Sequence, residues 1–188
     1  ATIIITAPHS KGTGNIEFDK GEHSQDFVAG PIAEQLETLL TDLGVGTKLF
    51  LADKSREELD YNREEGRGSK WRETIKEELD EHSLLVDIHS YESDDEDFQD
   101  YDAVVYRHKG DNGIADKFYR SLDTDFNIRI IDCAGENKAG ERCCDIVQEA
   151  LAQGIPALTI ETNEGINNLD VWIDVIKNGI LNLVATKE

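Results

Sequence analysis

The sequence predicts an α/β fold, a three-layer sandwich in which helices cover both faces of a mostly parallel mixed sheet. Short apolar runs alternate with amphipathic helical patterns along the 188 residues, and this alternation is typical of α/β proteins. Several runs are apolar throughout, as strands are when helices bury both faces of a sheet. Neither an internal repeat nor a Pro/Ser-rich linker interrupts the pattern, so we expect residues 1–188 to form a single domain.

Apolar spacing and helix-terminating residues predict each element in turn. Residues 2–7 read TIIITA and predict the first strand. Residues 29–43 carry apolar side chains at helical spacing, with Pro31 suited to the first turn and Gly44 to the C-terminal stop. The next strand is predicted at 46–51. The same criteria predict further helices at 69–81, 112–122, 141–152 and 168–184, and further strands at 84–89, 102–107, 127–132 and 156–161.

The chain is strongly acidic. Its 40 Asp and Glu residues outnumber 19 Lys and Arg residues and give a formal net charge of −21. Cationic surface supplies most of the affinity for nucleic acid, so we expect no nucleic-acid partner and, by the same electrostatics, no anionic membrane partner. A heavily solvated surface is favoured over an acidic binding face, and a high-salt source would be consistent with it.

Two features of the sequence indicate the cellular compartment of the protein. The chain starts on a strand-like run without a visible signal or transit peptide, and no run approaches the ~18 apolar residues of a membrane span, so we expect a cytoplasmic protein. The cysteines are Cys133, Cys143 and Cys144, an odd number with two adjacent and without CxxC spacing. This pattern argues against a disulfide framework and favours buried free thiols in a reducing compartment.

Four of the apolar runs end abruptly in residues that can do chemistry. The segments that follow the runs are Pro8-His9-Ser10, Asp60-Tyr61-Asn62-Arg63, His89-Ser90-Tyr91-Glu92 and Glu161-Thr162-Asn163-Glu164. Ligands in open α/β sheets bind at the carboxyl ends of the strands, so we expect these segments to meet at one edge of the sheet. Two histidines, two or three carboxylates and an arginine gathered there would make a metal-hydrolase site.

His9 and His89 are the candidate metal ligands, since each follows a buried strand that would fix its position. The loop after the first histidine adds four carboxylates, and these are Glu17, Asp19, Glu22 and Asp26. Catalytic zinc takes three protein ligands and leaves a position for water, and two histidines with one carboxylate are a standard set.

Other residues near the strand ends have candidate roles and plainer alternatives. Asp87 either holds the far nitrogen of the second histidine or caps the strand end in an ion pair. Asn62 and Arg63 would bind a carboxylate through an amide and a guanidinium fork, unless the arginine only pairs with the glutamates that follow it. Glu161, partly desolvated at the end of its strand, would have a raised pKa that suits a general base, with Glu164 as the alternative.

In this order, the residues resemble the zinc carboxypeptidase superfamily, and within it they resemble the N-formylglutamate amidohydrolase family more closely. Four segments between residues 8 and 164 carry the resemblance. The nine residues from Ser55 to Arg63 match a specific Ser-Arg-x-x-x-Asp-x-Asn-Arg pattern, whereas Pro-His-Ser alone is not specific. The other matches are Pro8-His9-Ser10, Leu85-Val86-Asp87-Ile88-His89-Ser90 and Leu158-Thr159-Ile160-Glu161.

The resemblance implies a zinc carboxypeptidase-like fold and a role for each matched residue. His9 and His89 would bind zinc, Asn62 and Arg63 would grip a substrate carboxylate, and Glu161 would be the base.

The third zinc ligand has three candidate positions in this resemblance. Carboxypeptidases carry it three residues after the first histidine, where this chain has Gly12. Related phage poly-γ-glutamate hydrolases have an Ile-Glu pair that Ile16-Glu17 resembles, and the formylglutamate family has an aspartate that Asp26 resembles. We take Glu17 as the third ligand, with Asp26 as the alternative. Tyr106 is the candidate for the substrate-binding tyrosine of the carboxypeptidases.

Together, these expectations predict a zinc-dependent hydrolase that cleaves an amide bond next to a free carboxylate in a small-molecule or peptide substrate. Arg67 and Arg72 would widen the cationic pocket or pair with nearby glutamates. One alternative is a poly-γ-glutamate or peptidoglycan-peptide hydrolase, although a charge of −21 repels a polyanion. An alternative from another class is a catalytically inactive metal-binding relative.

Overall fold

Six strands form one mixed sheet in the computed structural model, which describes residues 1–15, 24–133 and 145–185. The strands lie in the order β2-β1-β3-β6-β4-β5, and neighbours are parallel except for the antiparallel pair of β4 and β6. The carboxyl ends of β1, β2, β3 and β6 therefore meet at one edge, as predicted. The strands are β1 (Thr2–Ala7), β2 (Gly46–Leu51), β3 (Ser83–Tyr91), β4 (Ala103–Arg107), β5 (Ile128–Asp132) and β6 (Ala157–Asn163).

Helices cover both faces of this sheet, which confirms the predicted three-layer α/β sandwich. The α-helices are α1 (Ala29–Asp42), α2 (Lys70–Glu78), α3 (Ile114–Ser121), α4 (Asp145–Ala152) and α5 (Leu169–Ala185). Helices α1, α3 and α5 pack on the face that carries Ile3, Val86 and Ile160. Helices α2 and α4 pack on the other face, against Ile4 and Leu85. None of the described helices is long and apolar enough to cross a membrane.

The predicted elements are all present among the described residues, with shifted ends. Helix α2 stops at Glu78 rather than near residue 81. The reason lies in the residues that follow, because the carboxylate of Asp80 accepts hydrogen bonds from the backbone N–H of His82 and the hydroxyl of Ser83. This Asx-type bonding competes with helix continuation. The 3₁₀ turn at Glu64–Gly66 was not predicted.

That 3₁₀ turn packs closely on the segment that follows β2. A Cβ atom on Gly66 would lie 2.7 Å from the carbonyl oxygen of Asp60 and 2.7 Å from the Cα atom of Tyr61, so only glycine fits there without movement. The side chain of Tyr61 stacks on Trp71 at 4.6 Å between ring centroids and donates its hydroxyl to Asp53. The segment from Asp60 to Arg63 is therefore fixed by packing on several sides.

The expectation of free thiols is wrong for Cys133, which is disulfide-bonded. An odd number of cysteines argued against a framework of several disulfides, but it is compatible with one bond. Cys143 and Cys144 lie outside the described residues.

Candidate metal centre and active-site cavity

The face of the sheet that packs on α2 and α4 changes from apolar to polar along the strands. Side chains two residues apart share a face of a strand, so Leu85, Asp87 and His89 of β3 lie in one row. Asp87 pairs in register with Thr159, and His89 pairs with Glu161. The polar side chains thus follow the apolar ones toward the carboxyl edge of the sheet.

The backbone after β1 turns sharply and brings His9 to the same edge. The hydroxyl of Ser10 donates to the carbonyl oxygen of Ala7 at 2.8 Å and accepts from the backbone N–H of Ala52 at 3.0 Å. One serine therefore ties the end of β1 to the end of β2. The rings of His9 and His89 then lie edge to face, with centroids 5.0 Å apart.

The two histidines turn their Nδ1 atoms toward the same carboxylate. Asp26 Oδ2 lies 2.9 Å from Nδ1 of His89 and 3.6 Å from Nδ1 of His9. All three side chains are buried, and one ligand atom from each lies within 4.8 Å of the others. Asp26 reaches this position because its backbone N–H donates to the carbonyl oxygen of His9 at 3.0 Å.

The opposite ring nitrogens are held by two further buried carboxylates. Nε2 of His9 lies 2.7 Å from Asp60 Oδ1, and Nε2 of His89 lies 2.8 Å from Asp87 Oδ2. Asp87 also accepts the hydroxyl of Thr6 at 2.6 Å. A carboxylate at Nε2 keeps the proton there and leaves the Nδ1 lone pair for a metal. Of the two roles left open for Asp87 from the sequence, the structure shows the contact with a ring nitrogen of His89.

Charge compensation shifts the pKa values within this cluster. Burial alone would raise the pKa of Asp26, but hydrogen bonds from His89 and His9 and their charges hold it well below its usual range. Asp60 behaves in the same way, with Arg56 adding to the effect of His9. Burial alone would lower the pKa of His89, yet the charges of Asp87 and Asp26 raise it well above its usual value.

Two imidazoles and one carboxylate, each imidazole backed by a second carboxylate, fit the ligand set of catalytic zinc. His9 and His89 are brought together as predicted. Asp26, the alternative third ligand, lies between them. Glu17, the first choice from the sequence, lies outside the described residues, so its role stays a prediction.

A cavity of about 420 Å³ opens over this cluster. Its volume is typical of a small-molecule site. The side chains that line it come from the loops after β1, β2 and β3 and from strands β3, β4 and β6. They are His9, Ser24, Asp26, Arg56, Asn62, Arg63, His89, Ser90, Tyr91, Glu92, Asp95, Tyr106, Thr159 and Glu161.

Glu161 lines this cavity beside the histidines. Burial raises the pKa of its carboxyl group, and the charge of His89 offsets part of that rise. Tyr106, on the neighbouring strand β4, donates a hydrogen bond to it and lowers the pKa slightly. Glu161 is therefore a carboxylate of raised pKa that pairs in register with His89 and lines the same cavity as the candidate metal ligands.

Asn62 and Arg63 both line the cavity, but their surroundings differ. The side chain of Asn62 accepts the backbone N–H of Ile146 at 3.2 Å and places its amide nitrogen 3.5 Å from Nε2 of His89. It therefore anchors the first turn of α4 next to the second histidine. Nε of Arg63 lies 3.9 Å from Asp60 Oδ2, which is beyond hydrogen-bonding distance.

The other arginines considered from the sequence have structural partners. Arg72 donates to the carbonyl oxygen of Tyr61 at 2.9 Å and pairs with Glu149 of α4. Arg67 lies 3.8 Å from Glu64. Neither lines the cavity, so the alternative of pairing with nearby glutamates is the correct one.

Sequence reasoning missed two residues of the site. Asp60 was treated as part of a substrate-binding motif, although it is the partner of His9. Arg56, which lines the cavity and donates to Asp60 Oδ2 at 3.1 Å, was not singled out. Residues 56–58 form a turn and not a helix, so helical spacing gave no signal for the ion pair of Arg56 and Asp60.

We predict that Asp60→Asn weakens zinc binding about 10-fold or more, because it removes the charge that orients and polarises the His9 ring. Asp174→Asn on α5, where the side chain is 55% exposed, is the matched control and should bind zinc as the wild type does. Isothermal titration of the metal-free proteins with zinc measures both. Equal affinities of Asp60→Asn and the wild type would show that Asp60 does not support a ligand.

Comparison with solved structures identifies proteins that have a similar fold. No protein-family model matches the chain, and no curated protein matches it. The catalytic domain of CwlV, an N-acetylmuramoyl-L-alanine amidase from Bacillus (Paenibacillus) polymyxa var. colistinus, is 16% identical with a TM-score of 0.58 over 98% of each chain. The gene product Atu2144 from Agrobacterium tumefaciens is 12% identical with a TM-score of 0.65, over 99% of this chain and 86% of that one.

An N-formylglutamate amidohydrolase from Ralstonia eutropha JMP134 is also similar, with 11% identity and a TM-score of 0.56 over 98% of this chain and 92% of that one. Identities this low establish the fold alone. The resemblance stated from the sequence is therefore confirmed at the level of the fold. The chain has the α/β fold that is found in N-formylglutamate amidohydrolase and in N-acetylmuramoyl-L-alanine amidases.

Proposed function

We propose that this protein is a zinc-dependent amidohydrolase that cleaves an amide bond next to a free carboxylate. The observation that carries the proposal is the buried cluster of His9, Asp26 and His89 at the base of a cavity that Glu161 also lines. Hydrolases with the same fold support the amide-cleaving class.

The three clustered side chains would hold the metal. Bound zinc supplies a Lewis acid for the carbonyl oxygen and lowers the pKa of water to near neutrality. Asp60 and Asp87 would keep the two imidazoles oriented and their Nε2 atoms protonated.

Glu161 would act as the general base. Its carboxylate takes a proton from the attacking water and passes that proton to the leaving nitrogen of the amide. The raised pKa of Glu161 serves this double role, since a stronger base accepts the proton more readily and a weak acid still releases it to an amine. The hydroxyl of Tyr106 would fix the orientation of the carboxylate.

Arg63 and Arg56 would bind the substrate carboxylate. A guanidinium group can hold a carboxylate by two parallel hydrogen bonds, which orients the scissile amide as well as attracting the substrate. Both arginines also lie near Asp60, since Arg56 donates to its Oδ2 atom at 3.1 Å and Nε of Arg63 lies 3.9 Å from the same atom. We assign the main contact to Arg63 because it adjoins Asn62 in the matched Asp-x-Asn-Arg segment and lines the same cavity.

The size of the cavity favours a small substrate over a polymer. About 420 Å³ suits an amino-acid derivative or a short peptide, and the charge of −21 repels polyanions such as poly-γ-glutamate. A peptidoglycan peptide is the second candidate, favoured by the fold shared with CwlV. The cytoplasmic location remains a prediction, and the disulfide at Cys133 weighs against a reducing compartment.

We predict that Glu161→Gln retains zinc and folds normally while turnover falls by at least ~10²-fold, the usual contribution of general acid–base catalysis. The amide keeps the size of the side chain but cannot accept the proton. Hydrolysis of N-formyl-glutamate and of short peptides, together with metal content by mass spectrometry, measures this. Glu77→Gln, on the exposed face of α2, is the matched control.

The pH profile gives the same assignment a second test. Because the pKa of Glu161 is raised, kcat/KM should fall as the pH drops through a value above 4.5, the usual value for the group. Near-normal activity of Glu161→Gln on any amide substrate would remove this residue from the mechanism. A wild-type protein that binds zinc and cleaves no amide would favour the inactive relative.

We predict that Arg63→Lys raises KM for substrates that bear the carboxylate and has little effect on their neutral amides. Lysine keeps the charge but loses the two-pronged contact. Steady-state kinetics on a matched pair of substrates, the free acid and its amide, measures this difference. An equal loss on both substrates would show that Arg63 does not contact the carboxylate.

A further inference from the structure

Glu164 is a partly buried acidic residue for which the proposed mechanism has no use. It lies just after β6, and its backbone N–H donates to the carbonyl oxygen of Tyr91 at 2.9 Å. Its Oε2 atom accepts two hydrogen bonds, from the hydroxyl of Ser90 at 2.7 Å and from the backbone N–H of Phe27 at 2.6 Å. Ser90 in turn accepts the backbone N–H of Val28 at 3.3 Å.

These bonds join the residues that directly follow two candidate metal ligands. Phe27 follows Asp26, and Ser90 follows His89. Glu164 therefore bridges the loop that carries the carboxylate ligand and the strand that carries the second histidine.

The loop needs such a bridge more than the strands do. His89 lies within β3, where a ladder of backbone hydrogen bonds fixes its position, whereas Asp26 lies before the start of α1. Apolar burial beside Asp26 is limited to Val28, which packs against the core, because the side chain of Phe27 is 45% exposed. Hydrogen bonds of Asp26, Phe27 and Val28 to His9, Glu164 and Ser90 also hold the loop.

We propose that Glu164 is a positioning residue that sets Asp26 against the two histidines for metal binding. This inference rests on the proposed metal site. It also removes Glu164 as an alternative base, because its Oε2 atom is already engaged by two donors and its side chain is not among those that line the cavity.

A pair of variants separates positioning from charge. Glu164→Ala removes both hydrogen bonds and should weaken zinc binding about 10- to 100-fold, as the loss of an outer partner does. Glu164→Gln keeps an oxygen that can accept from Ser90 and Phe27, so it should restore affinity close to that of the wild type. The visible absorption of bound Co²⁺, which depends on coordination geometry, should change in Glu164→Ala and not in Glu164→Gln. Glu77→Ala on α2 is the control.

A second measurement needs no metal. Amide hydrogen exchange of the metal-free protein, followed by NMR, should show lost protection at Phe27 and Val28 in Glu164→Ala and retained protection in Glu164→Gln. Wild-type zinc affinity and an unchanged Co²⁺ spectrum in Glu164→Ala would overturn the inference, whatever the exchange shows. A wild-type protein without zinc affinity would overturn the proposed function. The exchange at Phe27 would then still decide whether Glu164 holds the Asp26 loop.

Discussion

Pairing of two imidazoles with three buried carboxylates is the interaction on which the rest of this site depends. Asp26 lies between the Nδ1 atoms of His9 and His89, while Asp60 and Asp87 hold the Nε2 atoms from behind. Burying an ion costs several kcal/mol unless opposite charge lies close to it. In a chain with a net charge of −21, three carboxylates gathered in the interior need positive charge, which protonated imidazole, Arg56 and a divalent cation can provide.

The sheet creates the place for this cluster. Rows of side chains on one face run from Ile4 to Thr6 and from Leu85 through Asp87 to His89, so the apolar core passes directly into the polar site. Strand β3 therefore fixes His89 and strand β6 fixes Glu161, whereas the segments after β1 and β2 supply His9, Asp26 and the arginines. This division explains why the carboxylate ligand depends on added hydrogen bonds while the histidine of β3 does not.

The sequence allowed the fold, the two histidines and Glu161 to be predicted, because all of them depend on short-range signals. Apolar runs reveal buried strands, and a polar residue at the end of such a run lies at the carboxyl edge. The partner of each ring nitrogen was harder to predict. Asp87 is two residues from His89, and contact with this histidine was one of the two roles considered for it, whereas Asp60 is 51 residues from His9 and was assigned to another role. The position of Asp26 between the two histidines depends on the path of the loop, which no periodicity encodes. The disulfide of Cys133 was missed for a similar reason, because cysteine spacing does not determine which thiols meet.

The central claim is that His9, Asp26 and His89 bind one metal ion. A crystal grown with zinc, with diffraction data collected above and below the zinc absorption edge, tests it most directly. The account predicts one strong anomalous peak at the base of the cavity, bonded to Nδ1 of each histidine and to a carboxylate oxygen of Asp26. A peak bonded to Glu17 in place of Asp26, or the absence of a peak between the two histidines, would contradict it.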